Sequence, residues 1–150
     1  MDSVSIHIDA PASEVWDLVT DVSGMGRFSP ENTGARWTAG TPAEVGSRFT
    51  GSNRHGWVRW STQCVVVESV PEELFSFEVH QSKTRWTYQL EPSDTGTLVT
   101  ESRAKFGSPP LYVQLIQKTK LLGRGRDELM RDGMQRTLES MKTELEVARR

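Results

Sequence analysis

Cysteine is almost absent from this chain. Cys64 stands alone, so no intramolecular disulfide can form and nothing favours an oxidising compartment. No stretch approaches the roughly 20 apolar residues that a membrane span needs, which leaves no stable membrane insertion to expect. The start, Met1-Asp2-Ser3-Val4-Ser5-Ile6, has neither a basic head nor an apolar run, so it does not read as a secretory signal. A surplus of charge is missing too. With 18 basic and 20 acidic residues the net charge is −2, which argues against a general nucleic-acid or membrane-coating surface. No His, Cys or Asp cluster has ligand spacing, so neither a metal nor a cofactor is expected. These absences point to a cytoplasmic protein. Its 150 residues suit one domain over 1–150, without repeat or linker.

What is present is alternation. Val4, Ile6 and Ile8 share one side of a first strand. Asp9-Ala10-Pro11-Ala12 then leads into a short helix whose apolar face is Val15, Trp16, Leu18, Val19 and Val22. From the middle onward the period is two. Strands are predicted over 46–54, 57–70, 74–80, 85–91 and 97–106. Turn signals at Asn53-Arg54-His55-Gly56, Pro71-Glu72-Glu73 and Ser93-Asp94-Thr95-Gly96 separate them as an antiparallel meander. Gly34-Ala35-Arg36-Trp37 reads as a loop or sheet edge. Ser108-Pro109-Pro110 opens a helical region over 111–124 with Leu111, Leu115, Ile116 and Leu122. A long helix follows from about Arg126 to Val147. Its stripe of Met130, Met134, Leu138, Met141 and Leu145 is the natural cover for the apolar face of the sheet.

Four motifs carry a resemblance. They are Ile8-Asp9-Ala10-Pro11 through Val15-Trp16, Val45-Gly46-Ser47-Arg48-Phe49, Trp86-Thr87-Tyr88-Gln89-Leu90-Glu91-Pro92 with Gly96-Thr97, and Gly133-Met134 through Leu145. In this order they resemble the START-like, or SRPBCC, superfamily, and within it the polyketide cyclase/dehydrase-like group. The resemblance implies an α+β helix-grip fold, in which a curved antiparallel sheet wraps a long C-terminal helix around an internal cavity. It does not by itself imply catalysis, because one fold hosts carriers, sensors and enzymes.

Strand parity nominates the cavity wall: Trp37, Phe49, Trp60, Thr62, Phe75, Phe77, Val79, Trp86, Tyr88, Thr100, Ser102 and Phe106. The helix adds Met130, Met134 and Leu138. Such an apolar and aromatic lining with a few hydroxyls suits a small hydrophobic molecule, and it equally suits a solid core. The resemblance favours the cavity. Acid–base groups are few on this face. His7, His55 and His80 fall outward or in a turn. Glu101, Arg103, Glu78, Arg85 and Arg59 take the outward parity and read as surface ion pairs unless a bulge swaps them. Tyr88 and Arg59 are the catalytic candidates that remain.

The leading expectation is therefore binding or transport of a lipid-like or polycyclic molecule. The alternative is a cyclase, aromatase or dehydratase acting on a polyketide. A third reading is a protein-interaction module, such as a toxin or chaperone activator. Monomer and homodimer both fit.

Overall fold

The computed structural model describes residues 2–27, 32–107 and 126–148. β1 (Asp2–Ile8) leads into α1 (Ala12–Thr20), which is followed by a 3₁₀ turn over Val22–Arg27. Six strands follow in a continuous meander: β2 (Asn32–Ala39), β3 (Arg48–His55), β4 (Val58–Val70), β5 (Leu74–Val79), β6 (Thr84–Ser93) and β7 (Gly96–Lys105). The chain closes with α2 (Arg126–Ala148). All seven strands form one antiparallel sheet in the order β1-β7-β6-β5-β4-β3-β2, so the N-terminal strand sits beside the last one.

Each element follows from its pattern. α1 starts directly after Pro11, whose fixed φ suits a helix entrance, and buries Ala12, Val15, Leu18 and Val19. Val4 and Ile8 of β1 point to the same core. The stripe of α2 is buried at Met134, Leu138, Met141 and Leu145, and this helix packs chiefly on β1 and also on β7 and α1. Two polar contacts tie α2 to the end of β1: Lys142 Nζ donates to His7 O at 2.9 Å, and the Asp9 N–H donates to Glu146 Oε2 at 2.9 Å. The sheet face towards α2 is thus the inner face.

Of two local readings, the sheet-edge alternative for residues 34–37 holds and the position of the β3–β4 turn does not. Residues 34–37 belong to an edge strand, β2, paired only with β3. The β3–β4 turn lies later than Asn53-Arg54-His55-Gly56. His55 pairs with Val58, which leaves Gly56 and Trp57 as the two turn residues. Gly56 takes φ 65 and Trp57 a negative φ, the signs a type II′ turn requires, and glycine supplies the first without steric cost. The expected helical region over 111–124 and the side chain of Met130 lie outside the described residues.

Candidate functional site

Aromatic side chains line the inner face. Edge-to-face contacts run from Trp16 of α1 to Phe75 at 5.9 Å, and from Phe49 to Phe77 at 5.1 Å and to Trp37 at 5.2 Å. A tilted contact of 5.9 Å joins Phe75 to Phe77 and completes the row across β5, β3 and β2. Each such pair adds about 0.5–1.5 kcal/mol beyond area burial. Phe49, Phe75, Val79, Tyr88, Met134 and Leu138 are buried, whereas Trp37, Trp60, Thr62, Phe77 and Trp86 are half-buried on the same face. Cys64 lies among them, and burial pushes its thiol up to about 12, so it behaves as a small apolar residue.

The strand β7 turns the other way from the sequence reading. Thr97, Val99, Glu101 and Arg103 are buried, while Leu98 and Phe106 are exposed. Ser93 pairs with Gly96 across a two-residue turn, and that pairing sets Leu90 opposite Val99 and Tyr88 opposite Glu101. Opposite residues in an antiparallel pair share a face, so Glu101 must point inward with Tyr88. No bulge is involved. Thr100 and Ser102 consequently face outward. Thr100 Oγ1 shares a 2.8 Å hydrogen bond with Ser5 Oγ, and Ser102 joins an outer row with Thr87 and Ser76. Phe106 borders a recess of about 420 Å³ that Arg48, Phe49, Cys64, Glu78 and His80 also line.

The consequence is a polar pair inside an apolar wall. Tyr88 Oη donates to Glu101 Oε2 at 2.9 Å. Glu101 is 3% exposed, with Val4 opposite it on β1, and its Oε1 has no hydrogen-bond partner among the described residues. Loss of hydration pushes the Glu101 carboxyl up to about 8, against the smaller lowering effect of the Tyr88 hydrogen bond. Burial, and then the Glu101 charge, push the Tyr88 hydroxyl well above its ordinary range. Arg103 does not neutralise this carboxyl by contact. Its guanidinium donates to Asp2 Oδ2 at 2.6 Å and holds that carboxyl below its usual value. Arg59, the other catalytic candidate, is exposed and stands opposite Arg54, apart from the Tyr88 row. Glu101 was the residue that sequence parity missed. The length of the Ser93–Gly96 turn was the signal that could have found it.

Among the described residues no group of three or more His, Cys, Asp or Glu could hold a metal ion, and no helix is long and apolar enough to cross a membrane.

A seven-stranded antiparallel sheet, curved and closed by a C-terminal helix, defines the helix-grip class of protein. The chain belongs to the family described as polyketide cyclase / dehydrase and lipid transport, which matches residues 3–146. Solved structures agree. The polyketide-cyclase-like protein Cgl2372 of Corynebacterium glutamicum is 28% identical over 97% of this chain and 84% of its own, with a TM-score of 0.53. Protein NE0264 of Nitrosomonas europaea shares the fold at 13% identity, covering 99% and 95% of the two chains, with a TM-score of 0.70. The Aha1 dimer of Colwellia psychrerythraea does so at 16% identity, 98% of each chain and a TM-score of 0.60. No curated protein matches the sequence.

Proposed function

We propose that the chain binds an apolar small molecule between the inner face of the sheet and α2, with Glu101 and Tyr88 as its polar anchor. One observation carries this reading. In a wall of aromatic and aliphatic side chains, Glu101 Oε1 is a buried hydrogen-bonding atom without a partner among the described residues. Such an orphan costs about 1–3 kcal/mol, which a ligand polar group would offset. Apolar burial of the rest of the ligand would contribute about 25 cal/mol per Å². Family membership supports a hydrophobic ligand without naming it.

Native mass spectrometry of freshly purified protein, followed by titration with the neutral dye Nile red, tests the reading. The expected result is a co-purifying small mass or saturable dye binding, weakened in Glu101→Leu. Absence of both in the wild type would sink it.

The Tyr88–Glu101 pair also favours a second reading, a cyclase or dehydratase. A carboxyl that titrates near 8 holds its proton at neutral pH and can pass it to a bound substrate. Under this reading Glu101→Gln abolishes turnover of a poly-β-ketone analogue while leaving its binding within a few-fold. Binding without any turnover by the wild type would leave the carrier reading alone.

A further inference from the structure

The β3–β4 hairpin is built unlike the rest of the sheet. β4 pairs with β5 from Cys64 onward and β3 pairs with β2 as far as Asn53, so residues 54–59 extend past both neighbouring strands as a two-stranded ribbon. At its tip Trp57 is 97% exposed, whereas the other four tryptophans are all at least partly buried. Val58 beside it is exposed as well. Behind the tip Arg54 and Arg59 stand directly opposite each other, both exposed. Arg54 Nε donates to the turn carbonyl of Gly56 at 2.9 Å, yet like charges directly opposite each other oppose strand pairing. The 23 residues from Val45 to Val67 contain no Asp or Glu, although the whole chain has a net charge of −2. Positive charge is therefore concentrated on this ribbon, and Arg36 on the neighbouring β2 adds to it.

We infer that this hairpin is a docking tip for an anionic lipid surface, with Trp57 and Val58 seated among the headgroups and Arg54 and Arg59 on lipid phosphates or carboxylates. Charge complementarity and the form of the tip argue for this occupant. An indole has an apolar body and one N–H, which favours the boundary between headgroups and acyl chains. Each arginine near an anionic leaflet strengthens binding by about fivefold. The tip is a narrow projection of two apolar residues. A stable protein interface needs about 800 Å² per partner, more than such a tip offers. Duplex nucleic acid calls for a run of phosphate contacts, and neither Trp57 nor Val58 would contribute one.

Vesicle flotation of the full chain is the test. Phosphatidylcholine vesicles are compared with vesicles that also contain phosphatidylserine, and bromine-labelled phosphatidylcholine is used to quench indole fluorescence. The wild type is expected to float with the phosphatidylserine vesicles and to lose this at high salt. Trp57→Ala should weaken binding on the order of tenfold and abolish the quenched fraction. The Arg54→Gln/Arg59→Gln double variant should lose on the order of tenfold or more. Both changes are at exposed positions, and circular dichroism of each variant checks that the fold is kept. The inference is overturned if the wild type floats with neither vesicle. Flotation unaffected by Trp57→Ala and by the double variant would also overturn it. So would retention on duplex DNA without vesicle binding.

Discussion

At Glu101 the carboxyl is shut away from water. One oxygen accepts from Tyr88, and no cation touches it among the described residues. Its ionisation therefore moves from an ordinary 4.5 to about 8. Between those values the folded chain keeps a proton that the unfolded chain has released. The sign follows: this group's contribution is fully present below about pH 4.5 and is lost as pH rises through about 8. Glu101→Gln keeps the shape and has no proton to release. Thermal unfolding should show the two proteins closest near pH 4.5, with the variant gaining on the wild type as pH rises and leading by a few kcal/mol, to order of magnitude, above pH 8. Tyr88→Phe removes the donor to Oε2. It should lower stability at pH 7 by about 1–3 kcal/mol in denaturant titration and carry the decline with pH to still higher values.

At the scale of the element, β7 shows how a turn overrides a pattern. Its inner set is Thr97, Val99, Glu101 and Arg103, polar at three of four positions, and its outer set includes Leu98 and Phe106. Hydropathy alone ranks the outer set as the core face. Backbone pairing decides otherwise, because Ser93–Gly96 fixes which residues of β6 and β7 stand opposite. Substitutions can verify the orientation. Val99→Ala should cost about 1–3 kcal/mol, and Leu98→Ala should stay within about 0.5–1 kcal/mol, both read as denaturant midpoints. The turn itself is held by Gly96. A Cβ there would meet Ile8 O at 2.2 Å, backbone that cannot yield without parting β1 from its neighbours. A Cβ at Gly56 meets nothing within 4 Å and brings only the cost of its φ of 65. Gly96→Ala should thus lower the unfolding midpoint well beyond Gly56→Ala, for which about 1 kcal/mol is expected.

At the scale of the molecule, Cys64 reports on the centre of the sheet. It pairs with Phe49 on one side and Val79 on the other, and burial holds its thiol at about 12. Iodoacetamide labelling should therefore track global unfolding, with a rate that falls about tenfold for each 1.4 kcal/mol of stability. Rapid labelling under native conditions would mean that β3, β4 and β5 open locally. Much of the design was legible in the residues themselves. Alternation in Leu74–Val79 and in Trp86, Tyr88 and Leu90 determined strands and their inner sides, and the stripe of Met134, Leu138, Met141 and Leu145 determined a helix with one buried face. Those are local facts, because side-chain direction repeats every two or 3.6 residues wherever the chain goes. Tertiary structure alone decided the site. Glu101 becomes a buried acid only because a two-residue turn seats it opposite Tyr88 and because Val4 and α2 close over that face. A carboxylate 13 residues from its tyrosine carries no mark of burial in the sequence. Its chemistry is set by the water removed around it, and that removal is a property of the packed molecule.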